Sequence, residues 1–120
     1  MEKVINIDGK PVKFKATAAT LRMYRMRFRR DLMIDLSSMA DKMKKDEDGL
    51  GVMELELFEN VAYIMAKQAD STIPNTPEEW LDGFNTFAIR DILPGIMELW
   101  KENMHTIGES KKKMQQITEK

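Results

Sequence analysis

The chain has 120 residues, with 19 lysines and arginines against 20 aspartates and glutamates and no cysteine. That length suits one core with no second domain, the balanced charge argues against a basic nucleic-acid-binding domain, and the lack of thiols removes disulfides and thiolate metal sites. No apolar leader opens the chain, and the longest apolar run, Val61 to Ala66, falls far short of the roughly 20 residues that span a bilayer, so a soluble cytoplasmic protein with no membrane contact is expected.

The first segment, KVINIDGKPVKFK, alternates Ile5 and Ile7, then Val12 and Phe14, with polar residues on either side of Asp8-Gly9. Asp-Gly between two alternating runs predicts a β-hairpin, and Pro11, which has no N–H to donate, places the second strand's start at an edge or just outside the pairing. A lone hairpin is unstable, so it must pack on helices.

From Thr20 the period becomes helical: Leu21, Tyr24, Phe28, Leu32, Leu36, Met39 and Met43 are spaced by three and four. One long helix from Thr20 to Lys45 is predicted. The acidic stretch 46–51 breaks it, and Gly51 with Glu54 forms a weak N-terminal signal for a second helix reaching Ala69. Its stripe of Leu55, Phe58, Ala62, Met65 and Ala69 is flanked by Leu57, Val61 and Ile64, which makes it the central helix. Thr76, Pro77 and Glu79 then form a sharp start signal: a capping hydroxyl, a preset φ at the first helical position, and a carboxylate able to reach back to the cap. That short helix carries Trp80, Leu81 and Phe84. A last helical segment from about Thr86 must kink or restart at Pro94, continues through Ile96, Met97, Trp100 and Met104, and stops at Gly108. Residues 109–120 are polar and lysine-rich and are expected to form a flexible tail on a single domain spanning 1–108. The fold class expected is mainly α, a bundle of about four helices with an N-terminal β-hairpin.

Catalytic chemistry finds little support. The one histidine, His105, has no cysteine to activate and lies near the end of the last helix, where a dipole partner or plain surface residue is the simpler reading. Asp46, Asp48 and Gly51 match positions one, three and six of an EF-hand loop, but positions five and twelve are Leu50 and Leu57, which offer no oxygen to calcium. The glycines never take the spacing of a phosphate loop. No catalytic residue, metal ligand or cofactor site is assigned, and the chain is not expected to be an enzyme.

The stretch RMYRMRFRR, residues 22–30, sets five arginines among apolar side chains. At 100° per residue, Leu21, Tyr24, Phe28, Leu32, Met39 and Met43 share the core side. Around the helix from it lie Arg22, Arg25, Met26, Arg29 and Met33, with Met23, Arg30 and Ile34 further along. Three readings follow, in this order. The hairpin or the last helix covers this face, with arginines snorkelling or paired to the acidic second helix. Alternatively it is a partner surface, since arginine and methionine are enriched at protein interfaces. Least favoured is a nucleic-acid grip using Arg22, Arg25, Arg27, Arg29 and Arg30. The candidate partner-binding residues are Arg22, Arg25, Met26, Arg29, Met33 and Ile34.

Taken together, INIDGKPVKFKATAATLRMYRMRFRRD, FENVAYIMAKQAD, TPEEWLDGF and ILPGIMELW resemble the small tail assembly chaperones of long-tailed bacteriophages and prophages of Gram-positive bacteria, over roughly residues 4 to 100. Gly51 stands where a side-chain cap is expected, and the eleven methionines are many. The resemblance implies a non-enzymatic protein of the host cytoplasm that keeps the tape-measure protein soluble while tail-tube subunits assemble. It also implies homo-oligomers along that partner, and a longer frameshifted product for which codons of Lys111 to Lys113 are candidates. The competing functions are a small nucleic-acid-associated regulator and a structural component that stays in the tail.

Overall fold

In the computed structural model, which describes residues 1–45 and 52–101, the chain opens with strands β1 (Glu2–Ile7) and β2 (Lys10–Lys15), paired antiparallel. The turn between them has Asp8 at φ 53° and Gly9 at φ 77°, the doubly positive geometry that twists two strands together and that Asp-Gly tolerates. Ile5 faces Val12 across the ladder, and Ile7 and Phe14 point from the same side into the core, where both are fully buried. Pro11 lies inside β2 opposite Asn6, which a two-stranded ribbon permits because both its strands are edges.

Five named helices follow: α1 (Ala18–Phe28), α2 (Leu32–Lys45), α3 (Val52–Ala69), α4 (Pro77–Leu81) and α5 (Ala88–Asp91), and residues 93–101 form a sixth, α6. The expected bundle of about four helices is therefore corrected: six helical segments occur among the described residues, and two of them are only four and five residues long. Both additions come from splitting. The rod predicted from Thr20 to Lys45 is two helices, because Arg29 takes the left-handed conformation at φ 57° and the Asp31 carboxylate caps a new start, accepting from the N–H groups of Met33 (2.9 Å) and Ile34 (3.3 Å). The last element splits at Ile92, with Pro94 in the first turn of α6, where its missing N–H costs nothing.

Helix α1 begins two residues earlier than the spacing predicts. Thr17 caps it, and the Thr20 hydroxyl accepts from the Thr17 N–H at 2.9 Å. Gln68 of α3 locks this cap, donating to Thr17 Oγ1 and accepting from Thr20 Oγ1. At α4, Thr76 accepts from the Glu79 N–H at 3.2 Å; the return bond expected from the Glu79 side chain is not among those formed by the described residues.

Helix α3 is the axis of the molecule. Six consecutive residues, Val61 to Ala66, are buried, so every side of this turn is covered, with β2, α1, α2, α4 and α5 packed around it. Trp80 closes one end, edge-on to Phe14 and Phe84 and tilted against Tyr63 at 5.9 Å. The hairpin tip is pinned to the segment after α4, where Asp8 accepts from the Asn85 N–H at 2.7 Å. Helix α6 comes so close to β1 that a Cβ on Gly95 would stand 2.9 Å from Ile5 Cδ1. The 46–51 break with its Gly51 cap, the Met43 side chain, Met104, His105, the Gly108 stop and the 109–120 tail lie outside the described residues.

Two backbone positions make opposite predictions. Arg29 bears a side chain where glycine is preferred, at a cost of about 1–2 kcal/mol, so Arg29→Gly is expected to stabilise the fold by about 0.5–1 kcal/mol, read as a rise of a few degrees in Tm. Gly9→Ala meets no atom within 4 Å but forces alanine to φ 77°, and should destabilise by about 1 kcal/mol.

Candidate functional site

The bend at residues 29–31 sets α1 and α2 against each other, and a groove of about 1230 Å³ opens at their junction. Five of the six candidate partner-binding residues line it: Arg22, Arg25, Met26, Arg29 and Met33. Ile34, the sixth, is not part of the lining but stands exposed one residue further on. Ala18 and Leu21 complete the α1 side, while Leu32, 1% exposed, belongs to both the groove and the core beneath it.

Exposure decides between the readings of this face. Met26 is 69% exposed and Ile34 66%, and Met33 is half-buried, so neither the hairpin nor α6 covers them. The covered-face reading is thus corrected: the hairpin packs on α3 through β2 and leaves the outer side of α1 open. Nor, among the described residues, do the arginines of this stretch pair with acidic groups of α3. Arg27 turns to the protein body, donating to the Asn75 carbonyl and stacking over the Tyr63 ring at 5.1 Å. Arg30 forms a two-pronged pair with Asp35, Nε to Oδ2 at 2.9 Å and Nη2 to Oδ1 at 2.8 Å. Arg22, Arg25 and Arg29 are exposed and have no anionic partner among the described residues. The run of five therefore divides into two structural arginines and three that face outward.

Asp35 is the residue that sequence reasoning missed. It is 3% exposed, one of two buried polar residues among those described, and its Oδ2 also accepts from the Tyr24 hydroxyl at 2.7 Å. One carboxylate thereby joins α1, the bend and α2, and fixes the angle that shapes the groove. The sequence signal was present in part: Asp35 lies between Ile34 and Leu36, four residues after Asp31 and five after Arg30. Burial opposes its ionisation, but the Arg30 and Tyr24 hydrogen bonds and the Arg30 charge outweigh that, holding the carboxyl below its ordinary 3.8. Burial, followed by the hydrogen bond and charge of Asp35, keeps the Tyr24 hydroxyl protonated well above its ordinary 10.0.

Lys67 gathers the loop before α4 in a similar way, donating to the carbonyls of Ser71 (2.8 Å) and Ile73 (2.7 Å) and to Asn75 Oδ1. Among the described residues there is no cluster of three or more His, Cys, Asp or Glu side chains that could hold a metal ion, and no helix long and apolar enough to cross a membrane.

The Asp35 clamp has a pH signature. Its folded-state pKa is depressed, so its contribution is whole above about pH 4 and is lost as pH falls through the folded value. Asp35→Asn is expected to cost about 2 kcal/mol at neutral pH, less than for a fully buried pair because water reaches half of Arg30, and to flatten the loss of stability as the pH falls below about 4 in denaturant titrations. Compared with family models, curated proteins and solved structures, the chain matches none.

Proposed function

We propose that this chain is a non-enzymatic tail assembly chaperone of a long-tailed phage or prophage, acting in the host cytoplasm to keep the tape-measure protein soluble during tail assembly. Two things support the reading. The first is the likeness over residues 4 to 100. The second, which carries it, is the exposed groove at the α1–α2 junction with two large apolar side chains, Met26 and Ile34, left in water beside it. A monomer gains nothing by exposing them, whereas a chaperone needs an apolar surface that closes only on its client. Methionine suits such a surface because its flexible thioether adapts to irregular partners.

A tape measure is a very long helical chain with apolar stripes, so many small domains in a row would shield it, in contact with one another as homo-oligomers and possessed of no chemistry of their own. Tail-tube protein is a second candidate contact, since it assembles on the same client.

Co-expression with the tape-measure gene tests the reading. The wild-type chain should move that protein from the pellet to the supernatant, and Met26→Asp or Ile34→Asp should abolish the effect while shifting domain stability by no more than about 0.5 kcal/mol, because both side chains are exposed. Met33→Asp should lose client binding and some stability together, since Met33 is half-buried. A wild-type chain that leaves the client insoluble overturns the proposal. Recovery of the chain from purified virions would favour a resident structural component instead.

A further inference from the structure

We propose that the groove at the α1–α2 junction takes an amphipathic helix whose apolar stripe is flanked by carboxylates; the inference rests on the chaperone reading for the biological client and on the groove alone for the chemistry. The lining carries four guanidinium groups and one carboxylate. That carboxylate, Asp31, is occupied in capping α2, and Arg30 is neutralised by Asp35. Arg22, Arg25 and Arg29 are left with excess positive charge. Arg22 and Arg25 stand at positions i and i+3 of α1, Arg29 is the left-handed cap that follows it, and all three line the groove together with Met26. A second helix packed along the groove would meet them with acidic residues, while its apolar stripe settles on Leu21, Met26 and Met33.

The occupant's secondary structure follows from what the groove lacks. Both walls are helical side chains, so no free strand edge is available to hydrogen-bond an extended peptide. A segment buried there must satisfy its own backbone, which a helix does. Single-stranded nucleic acid fits less well, because the lining contains no aromatic ring on which a base could stack.

The test uses the full chain and fluorescein-labelled probes in anisotropy titrations. The acidic probe is a peptide of about 20 residues, roughly 30 Å as a helix, with a leucine stripe flanked by glutamates; its counterpart has lysines in place of the glutamates, and an oligouridylate forms the third arm. The acidic peptide should bind and the lysine peptide should not. Each of Arg22→Gln, Arg25→Gln and Arg29→Gln should weaken acidic-peptide binding about threefold, and the triple variant about 30-fold. Arg22→Glu with Arg25→Glu and Arg29→Glu should exchange the preference, so that the lysine peptide binds and the acidic one does not. Thermal melts of each variant establish that the fold persists, and the single glutamine variants carry the test if the triple charge reversal unfolds. Equal binding of both peptides, or tighter binding of the oligouridylate than of the acidic peptide, overturns the inference. The two readings fail separately. A chain whose triple glutamine variant still solubilises tape-measure protein refutes the charge-matched helix and leaves the chaperone, whereas acidic-peptide binding without client rescue does the reverse.

Discussion

The Asp35 carboxylate is the constraint on which the rest of the exposed architecture depends. A single buried anion takes two hydrogen bonds from Arg30 and one from Tyr24, and the three groups belong to α2, to the bend and to α1. Without it, the two helices would be held by a short link, by their direct packing on each other and by packing on α3. An ion pair of this kind adds little net stability compared with an apolar replacement, because desolvation consumes most of the attraction. Its value here is geometric. It ties the two helices together across the bend beside which the groove lies. Arg30 and Arg29 are adjacent in sequence yet serve opposite ends: the first is consumed in holding the bend, the second is displayed by it.

Much of the fold could be read from the pattern of residues. Asp8-Gly9 between alternating runs specified the hairpin turn, Thr76-Pro77 specified the start of α4, and the broad apolar face of 55–69 identified the helix at the centre. The bend at 29–31 could not be read in the same way. Phe28 and Leu32 are four apart, so the helical period runs across the break without interruption, and neither glycine nor proline stands there to punctuate it. Left-handed geometry at an arginine is a tertiary outcome, imposed by what Tyr24, Arg30 and Asp35 gain when the chain turns. Asp31 ahead of Leu32 was the single local clue, and as a cap it is ambiguous inside a charged stretch.

The candidate site was legible for a related reason. Positions 22, 25 and 26 share a face of the helix whether it ends at 28 or at 45, and Arg29, as the cap of α1, still lines the same groove, so their grouping survives the break. Helical angle left Arg27 and Arg30 out of the candidate set, and only the nucleic-acid reading counted them with the rest. Their roles depend on Asn75, Tyr63 and Asp35, groups that only the folded chain brings near. Counting arginines overstated the charge available to a ligand by two in five, which matters because every counterion estimate scales with the number of cations free to act.

The break also changes what kind of surface the Arg–Met face is. On one straight rod Met26 and Met33 would lie about 20° apart in angle and about 10 Å apart along the axis, two knobs on a convex stripe. Such a stripe suits side-by-side packing of equals, as in a coiled coil. With the chain turned between them, both methionines line one concavity, walled by arginines on α1 and floored by Leu32. A concave site encloses its occupant and removes more of it from water for the same number of side chains, and it places flanking charges where solvent screens them less. Ile34, exposed next to Met33 in sequence, adds apolar surface outside the groove without adding charge. A surface built this way favours one bound helix over a lattice of equivalent contacts, so any self-association of the chain would have to use other faces of the domain.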